Sequence, residues 1–183
     1  FDRPNLCYRV RARKNINAQV CGVLDRHKGE SGVIYCIRRR DVNELCIELT
    51  QRGYKVAGYH AGMSPEQRKR HQDLFINDRV DTIVATIAFG MGIDKSNIRY
   101  VIHTGMPKSL EHYQQESGRA GRDGLEAECC LFYAGGDYGI WKFLMRDMPE
   151  EPQKIALDKL DRTYRFCTGA TCRHGAILQY FGQ

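Results

Sequence analysis

No apolar run in this sequence approaches the roughly 20 residues that a membrane-crossing helix needs. Runs such as Val33–Ile37 last only a few residues, so a spanning helix is excluded. The pattern G-x-x-x-x-G-K-[ST] is also missing, and with it any self-contained cradle for the β- and γ-phosphates of a nucleotide. No C-x-x-C pair occurs among the eight cysteines (Cys7, Cys21, Cys36, Cys46, Cys129, Cys130, Cys167 and Cys172). Most of them lie in apolar segments, which favours reduced, buried thiols over a disulfide framework. No acidic pair stands at a strand end to hold magnesium, and no nucleophile is placed beside a base. A free-standing small-molecule enzyme therefore has no constellation to work with. The opening Phe1-Asp2-Arg3-Pro4 is neither an initiator nor a signal peptide, so the expectation is a piece of a longer polypeptide.

What is present suits one α/β domain with a small appendage. The chain has 183 residues, 42% hydrophobic and 27% charged. A chain of that length buries about 70% of its unfolded surface, enough for an ordinary core. Its net charge of +6 fits a phosphate-rich partner, though many proteins without one are as basic.

Short apolar runs alternate with helical patterns, the sign of a parallel sheet wrapped by helices. Strands are expected at Leu6–Ala12, Val33–Ile37, Tyr54–Tyr59, Val80–Thr86, Ile98–His103 and Glu128–Tyr133. Ile16, Val20, Val23, Leu24 and His27 recur at helical spacing before Gly29. Asp41, with Glu44 three residues on, reads as the capping box of the next helix, which stops at Gly53. Ser64-Pro65-Glu66-Gln67 is a strong helix start, and Ser109 opens a helix toward Gly118. Tyr138, Trp141, Leu144, Met145 and Met148 mark one more helix before Pro149-Glu-Glu-Pro152 breaks the chain. From Ile155 to Gly182 the pattern is all helical. The expected division is an α/β domain over 1–148 and a helical unit over 149–183.

In open α/β sheets ligands collect at the carboxyl edge, where strands hand over to loops. Three polar, glycine-rich segments are candidates: Tyr59–Gly62, Ala85–Asp94 and Gln115–Gly124. In the last, Gln115, Arg119 and Arg122 are four and three residues apart, so a helical turn would bring them toward one face. Gly118 and Gly121 clear space beside both arginines. Guanidinium is planar, permanently charged and bidentate, suited to a transferring phosphate, and an arginine finger is worth about 10³–10⁵ in rate. A surface salt-bridge cluster on a glycine-broken helix end is the competing reading. Thr86 and the glycine-rich backbone after it suit a nucleic-acid phosphate. Asp94 suits either a ribose hydroxyl or a turn. Arg38-Arg39-Arg40 is a phosphate candidate or a solvated charge run. His60 reads as a turn histidine or a ligand, and Arg68-Lys69-Arg70-His71 as the wet face of its helix. Cys167-x₄-Cys172 is a poor metal site, since zinc takes four ligands.

Ser31–Arg40, Gly58–Met63, Val84–Asp94 and Tyr113–Gly124 resemble, in order and spacing, motifs IV to VI of RecQ-family DNA helicases. The form Gln115-Glu-Ser-Gly-Arg-Ala-Gly-Arg-Asp-Gly124 is highly specific; a DEAD-box RNA helicase, the alternative, would show a form like HRxGRxGR. The resemblance spans essentially the whole chain. It implies a RecA-like second motor lobe followed by the start of a zinc-binding module. It implies Arg122 as the arginine finger, Arg119 as a second contact at the nucleotide cleft, and Gln115 as the coupling residue of that motif. It places Asp94 near the ATP ribose, and Arg39, His60 and Thr86 at the DNA backbone. Cys172 resembles the first of four zinc-binding cysteines. ATP with Mg²⁺, zinc, DNA and an N-terminal RecA-like lobe of the same polypeptide are the implied cofactors and partners. The implied activity is 3′→5′ unwinding in DNA repair and recombination. The location would be the bacterial cytoplasm, or a nucleus in a eukaryote. A non-catalytic nucleic-acid-binding module is the remaining alternative.

Overall fold

The computed structural model describes residues 3–90 and 95–182. In chain order the elements are β1 (Leu6–Ala12), α1 (Ile16–Arg26), β2 (Ser31–Tyr35), α2 (Arg39–Gln51), β3 (Val56–Tyr59), α3 (Pro65–Ile76), β4 (Thr82–Ala85), β5 (Ile98–His103), α4 (Leu110–Ser117), β6 (Ala127–Tyr133), α5 (Gly135–Met145), α6 (Glu150–Thr168) and α7 (Arg173–Tyr180). The six strands form one sheet in the order β1-β6-β5-β2-β4-β3. Every pairing is parallel. The α/β architecture expected from the alternation of runs is the one observed.

Strand periodicity divides the core. Val33 and Tyr35 point to one face, where they meet Ile83, Ala85, Phe75 and Phe89. Ile34 points to the other and packs with Val20, Val23 and Leu24 of α1 and Val42, Leu45 and Leu49 of α2. That is the alternation a strand buried on both faces requires. At the centre, Gly32 is fixed by packing: a Cβ there would lie 1.9 Å from the Tyr100 ring. The Tyr100 hydroxyl reaches across to Thr82 Oγ1 at 2.7 Å.

Local signals placed several helix ends correctly. Ser64 accepts from Gln67 N, Gln67 returns the bond, and Pro65 occupies the first turn. Ser109 accepts from His112 N, and Gly118 caps the other end of α4. Gly53 follows α2 at φ +86°, a conformation that glycine adopts without strain. Two expectations fail. Asp41 does not cap α2; the helix begins at Arg39 with Arg38 as cap, and Asp41 sits in the first turn. There it receives Arg38 Nε and Nη2, both at 2.9 Å, so the acid serves the helix dipole and an ion pair. Pro152 does not break the chain either. It lies in the first turn of α6, where its missing N–H would have had no helical partner.

A third core joins the sheet to α5, α6 and α7. Met106, Leu110, Tyr113 and Leu131 pack there with Trp141, Met145, Leu160, Phe166, Cys167 and Ile177. Asp137, fully buried, pins the junction by accepting from Ala134 N at 2.9 Å, Met106 N at 3.0 Å and Arg13 Nη2 at 2.6 Å. Packing is thus continuous past Pro149. Among the described residues no helix is long and apolar enough to cross a membrane.

Candidate nucleotide and nucleic-acid interface

All six strands run the same way, so the segments that follow β2, β3 and β4 share the carboxyl edge. Arg39 opens α2 there, His60 follows β3 and Thr86 follows β4. The structure brings these three together. Thr86 N donates to Tyr59 O at 3.2 Å, tying the two loops side by side. A Cβ on Gly62 would stand 3.2 Å from both Arg39 Nη1 and His60 Nδ1, so glycine lets the guanidinium lie over the loop.

His60 spends both ring nitrogens on the protein itself. Its Nε2 donates to Asn43 Oδ1 at 3.0 Å, and Nδ1 accepts from Gly62 N at 3.2 Å. Burial, and then the neighbouring Arg39 charge, lower its pKa below the usual histidine value, which keeps the ring in this neutral form. The histidine shapes the loop, while Arg39 supplies the exposed positive charge. Of its neighbours, Arg38 is engaged by Asp41 and Arg40 pairs with Glu44 at 3.4 Å. The run on α3 is not wholly wet: Lys69 and Arg70 are exposed, but His71 Nδ1 donates to Gly58 O at 2.6 Å.

The arginine segment differs from expectation in two ways. Helix α4 ends at Ser117, and 118–123 form turns, so the phase that would align Gln115, Arg119 and Arg122 on one helical face is lost. Gln115 stays on the exposed surface of α4, whereas both arginines ride the turn. The turn is also not at the carboxyl edge. Gly121 N donates to Ile98 O at 2.9 Å, and Asn5 Nδ2 donates to Gly121 O at 2.9 Å. Ile98 starts β5 and Asn5 precedes β1, so the turn closes at the amino edge. The physical reason is simple: this segment leads into β6, and a parallel strand must be entered from the amino side.

Gly121 is at φ +56°, and a Cβ there would meet Asn5 Nδ2 at 2.5 Å and Leu125 O at 2.7 Å. Arg3 holds the same turn by donating to Gly118 O, Ala120 O and Gly121 O. Arg119 leans over the sheet face and donates from Nη1 to Gly90 O at 2.7 Å. A Cβ on Gly90 would stand 2.4 Å from Arg119 Nη2, so this glycine makes room for the arginine. Arg122 is exposed. Both guanidinium charges act on the buried Tyr35 hydroxyl: burial pushes its pKa up, and Arg119 and Arg122 pull against that rise. Asp94 lies outside the described residues.

Cys172 is exposed at the start of α7. Cys167 is buried, and desolvation pushes its thiol up to about 12, which disfavours the thiolate that zinc takes. Among the described residues no group of three or more His, Cys, Asp or Glu side chains is arranged to hold a metal. These residues alone do not make a zinc site.

Sequence reasoning missed Arg3, Asn5, Tyr35, His103 and Glu116, all of which support the arginine turn or the loop after β4. Arg3 and Asn5 carried no local signal, because their partners lie 115 or more positions away.

The model of the helicase conserved C-terminal domain matches residues 15–124, which hold the carboxyl-edge cluster and the arginine turn. The chain belongs to that family. A second model, RecQ zinc-binding, matches residues 135–183. The chain is 44% identical to an ATP-dependent DNA helicase RecQ of Pasteurella multocida, over 100% of its own length and 29% of the relative. It is 39% identical to the RecQ helicase of Bacillus subtilis, over 100% of itself and 31% of that protein. The chain thus spans under a third of these relatives' length. A DEAD box protein from Methanococcus jannaschii superposes at TM-score 0.63 with 26% identity, over 77% of this chain and 39% of that one. The parallel sheet with flanking helices is therefore the RecA-like lobe of a helicase C-terminal domain, as the motif resemblance implied.

Proposed function

We propose that this chain is the second motor lobe of a RecQ-type, ATP-dependent 3′→5′ DNA helicase acting in repair and recombination. In this reading it carries the start of a zinc-binding unit over 149–183 and works where DNA is found. The observation that carries the reading is the arginine turn: a backbone turn bearing Arg119 and Arg122, held by Arg3 and Asn5 at one edge of the sheet, on a chain with no phosphate loop. Such a turn serves a nucleotide bound elsewhere.

Arg122 would complete the site by reaching the γ-phosphate of ATP held by an N-terminal lobe, where magnesium is also held. Arg119, braced on Gly90 O, would make a second contact at the nucleotide cleft, Gln115 would couple the cleft to the rest of the lobe, and Asp94 would meet the ribose. At the carboxyl edge Arg39, Thr86 and the loop shaped by His60 would grip the DNA backbone. ATP would draw the lobes together, hydrolysis would release them, and alternating grip would move the motor along one strand. Cys172 would be one of four zinc ligands in the longer protein.

The test is Arg122→Ala in the full-length protein. DNA-stimulated ATP hydrolysis should fall about 10³-fold or more, while ATP binding by equilibrium titration is retained. Near-normal turnover would remove the finger assignment. The likeness to a DEAD box protein favours a second reading, an RNA motor; ATPase stimulated by single-stranded RNA but not DNA would establish it instead.

A further inference from the structure

Four segments that meet over the β2–β5 face form a closed ring of largely buried contacts, in which Tyr35, His103 and Glu116 have no role so far. Tyr35, the last residue of β2 and 3% exposed, donates its hydroxyl to Phe89 O at 3.0 Å. One residue on, Gly90 O accepts from Arg119 Nη1 at 2.7 Å. Arg119 N donates to Glu116 O at 3.3 Å, and the Glu116 carboxylate accepts from His103 Nε2 at 2.8 Å. His103 stacks on Tyr35 with ring centroids 5.4 Å apart and planes 24° from parallel. That contact closes the ring.

Filling space does not explain these residue types. A buried histidine–carboxylate pair and a buried phenol carry desolvation costs that leucine or phenylalanine would avoid. The ring also holds unmade bonds: His103 Nδ1 and Arg119 Nε are buried without a hydrogen-bond partner among the described residues. Finally, the ring ends on both working clusters. Phe89 N donates to Thr86 O at 3.1 Å, and Arg119 stands three residues before Arg122 in one turn.

We propose that Tyr35 and the His103–Glu116 pair are positioning residues that fix the loop bearing Thr86 to the turn bearing Arg122. A strand seated at the carboxyl edge thereby sets the arginine at the amino edge. Tyr35, His103 and Glu116 touch neither nucleotide nor nucleic acid; they carry displacement between the two sets of contacts. This inference rests on the motor-lobe reading.

The experiment is steady-state ATP hydrolysis by the full-length protein with and without a single-stranded oligonucleotide, comparing Tyr35→Phe with the wild type. The substitution removes one hydroxyl and keeps the stack. The kcat at saturating oligonucleotide should fall about five- to tenfold, the scale of one buried hydrogen bond. The KM for ATP and the half-saturating oligonucleotide concentration should stay within about twofold. An unchanged kcat, or a loss that appears only as weaker oligonucleotide binding, overturns the proposal. If Tyr35→Phe melts more than a few degrees below the wild type, Glu116→Gln is read in the same assay and by the same criteria. Arg122→Ala separates the two levels. If that variant is inactive while Tyr35→Phe is normal, only the ring is refuted; if Arg122→Ala is itself normal, the motor-lobe reading falls with it.

Discussion

Glu128, at the entrance of β6, gathers Arg9 Nε at 2.8 Å, Arg26 Nη2 at 2.9 Å and His27 Nε2 at 2.9 Å. The His27 hydrogen bond is the largest influence holding the carboxyl down to about 2, against the cost of burial. In return Glu128, and after it Glu30 at 2.6 Å, raise the His27 pKa above 6.5. The signs define a window. The raised histidine contributes stability fully below about 6.5 and loses it as pH rises through the folded value. The depressed carboxylate contributes above about 4.5 and loses it as pH falls toward 2. His27→Gln should therefore cost about 1 kcal/mol by urea denaturation near pH 6, a figure discounted for solvent screening of the partly exposed pairs, and much less near pH 8.5. An equal cost at both pH values would mean that the protonated ring adds nothing. None of this was legible in the sequence. His27 read as the last member of a helical stripe and Glu128 as a strand residue, over 100 positions away.

Turns and helix ends show where reading from sequence succeeds and where it stops. The start of α3 was legible because its hydroxyl, proline and glutamine act within one turn of chain. The arginine segment stood out in the sequence but was misplaced in space: spacing suggested one helical face, but glycines at 118 and 121 end the helix first. Its edge could have been read, since any segment leading into a parallel strand arrives at the amino side. Gly121 is the test at this scale. Gly121→Ala combines a positive φ with a clash against Leu125 O, a backbone atom that a side-chain shift cannot relieve. A cost of about 2 kcal/mol is expected, or roughly 5 °C in Tm for a chain of this size, readable by thermal melting of the 183-residue chain. A variant that melts with the wild type would show that the turn has room to move.

At the scale of the whole molecule, the expected division after Met148 follows a break in the chain but not in the packing. Tyr113, fully buried, lies 5.6 Å from the Phe166 ring, and Leu160 is fully buried in the same cluster. Removing 149–183 would uncover that wall, so a 1–148 fragment should melt well over 10 °C lower and scatter light on warming. If the fragment melts like the parent, the α6–α7 unit is an independent passenger. This sharing was not legible from sequence, because helical periodicity names the apolar stripe of α6 without naming what it covers. The sheet has a mechanical consequence too. The candidate grip of Arg39, His60 and Thr86 stands at one end of six parallel strands, and the Gly121 turn is tethered at the other. A pull between them loads the strands lengthwise, along covalent backbone and across ladders sheared together, which is the stiffest direction such a body has. Built this way, the lobe is a strut, and its compliance lies in the loops at either end.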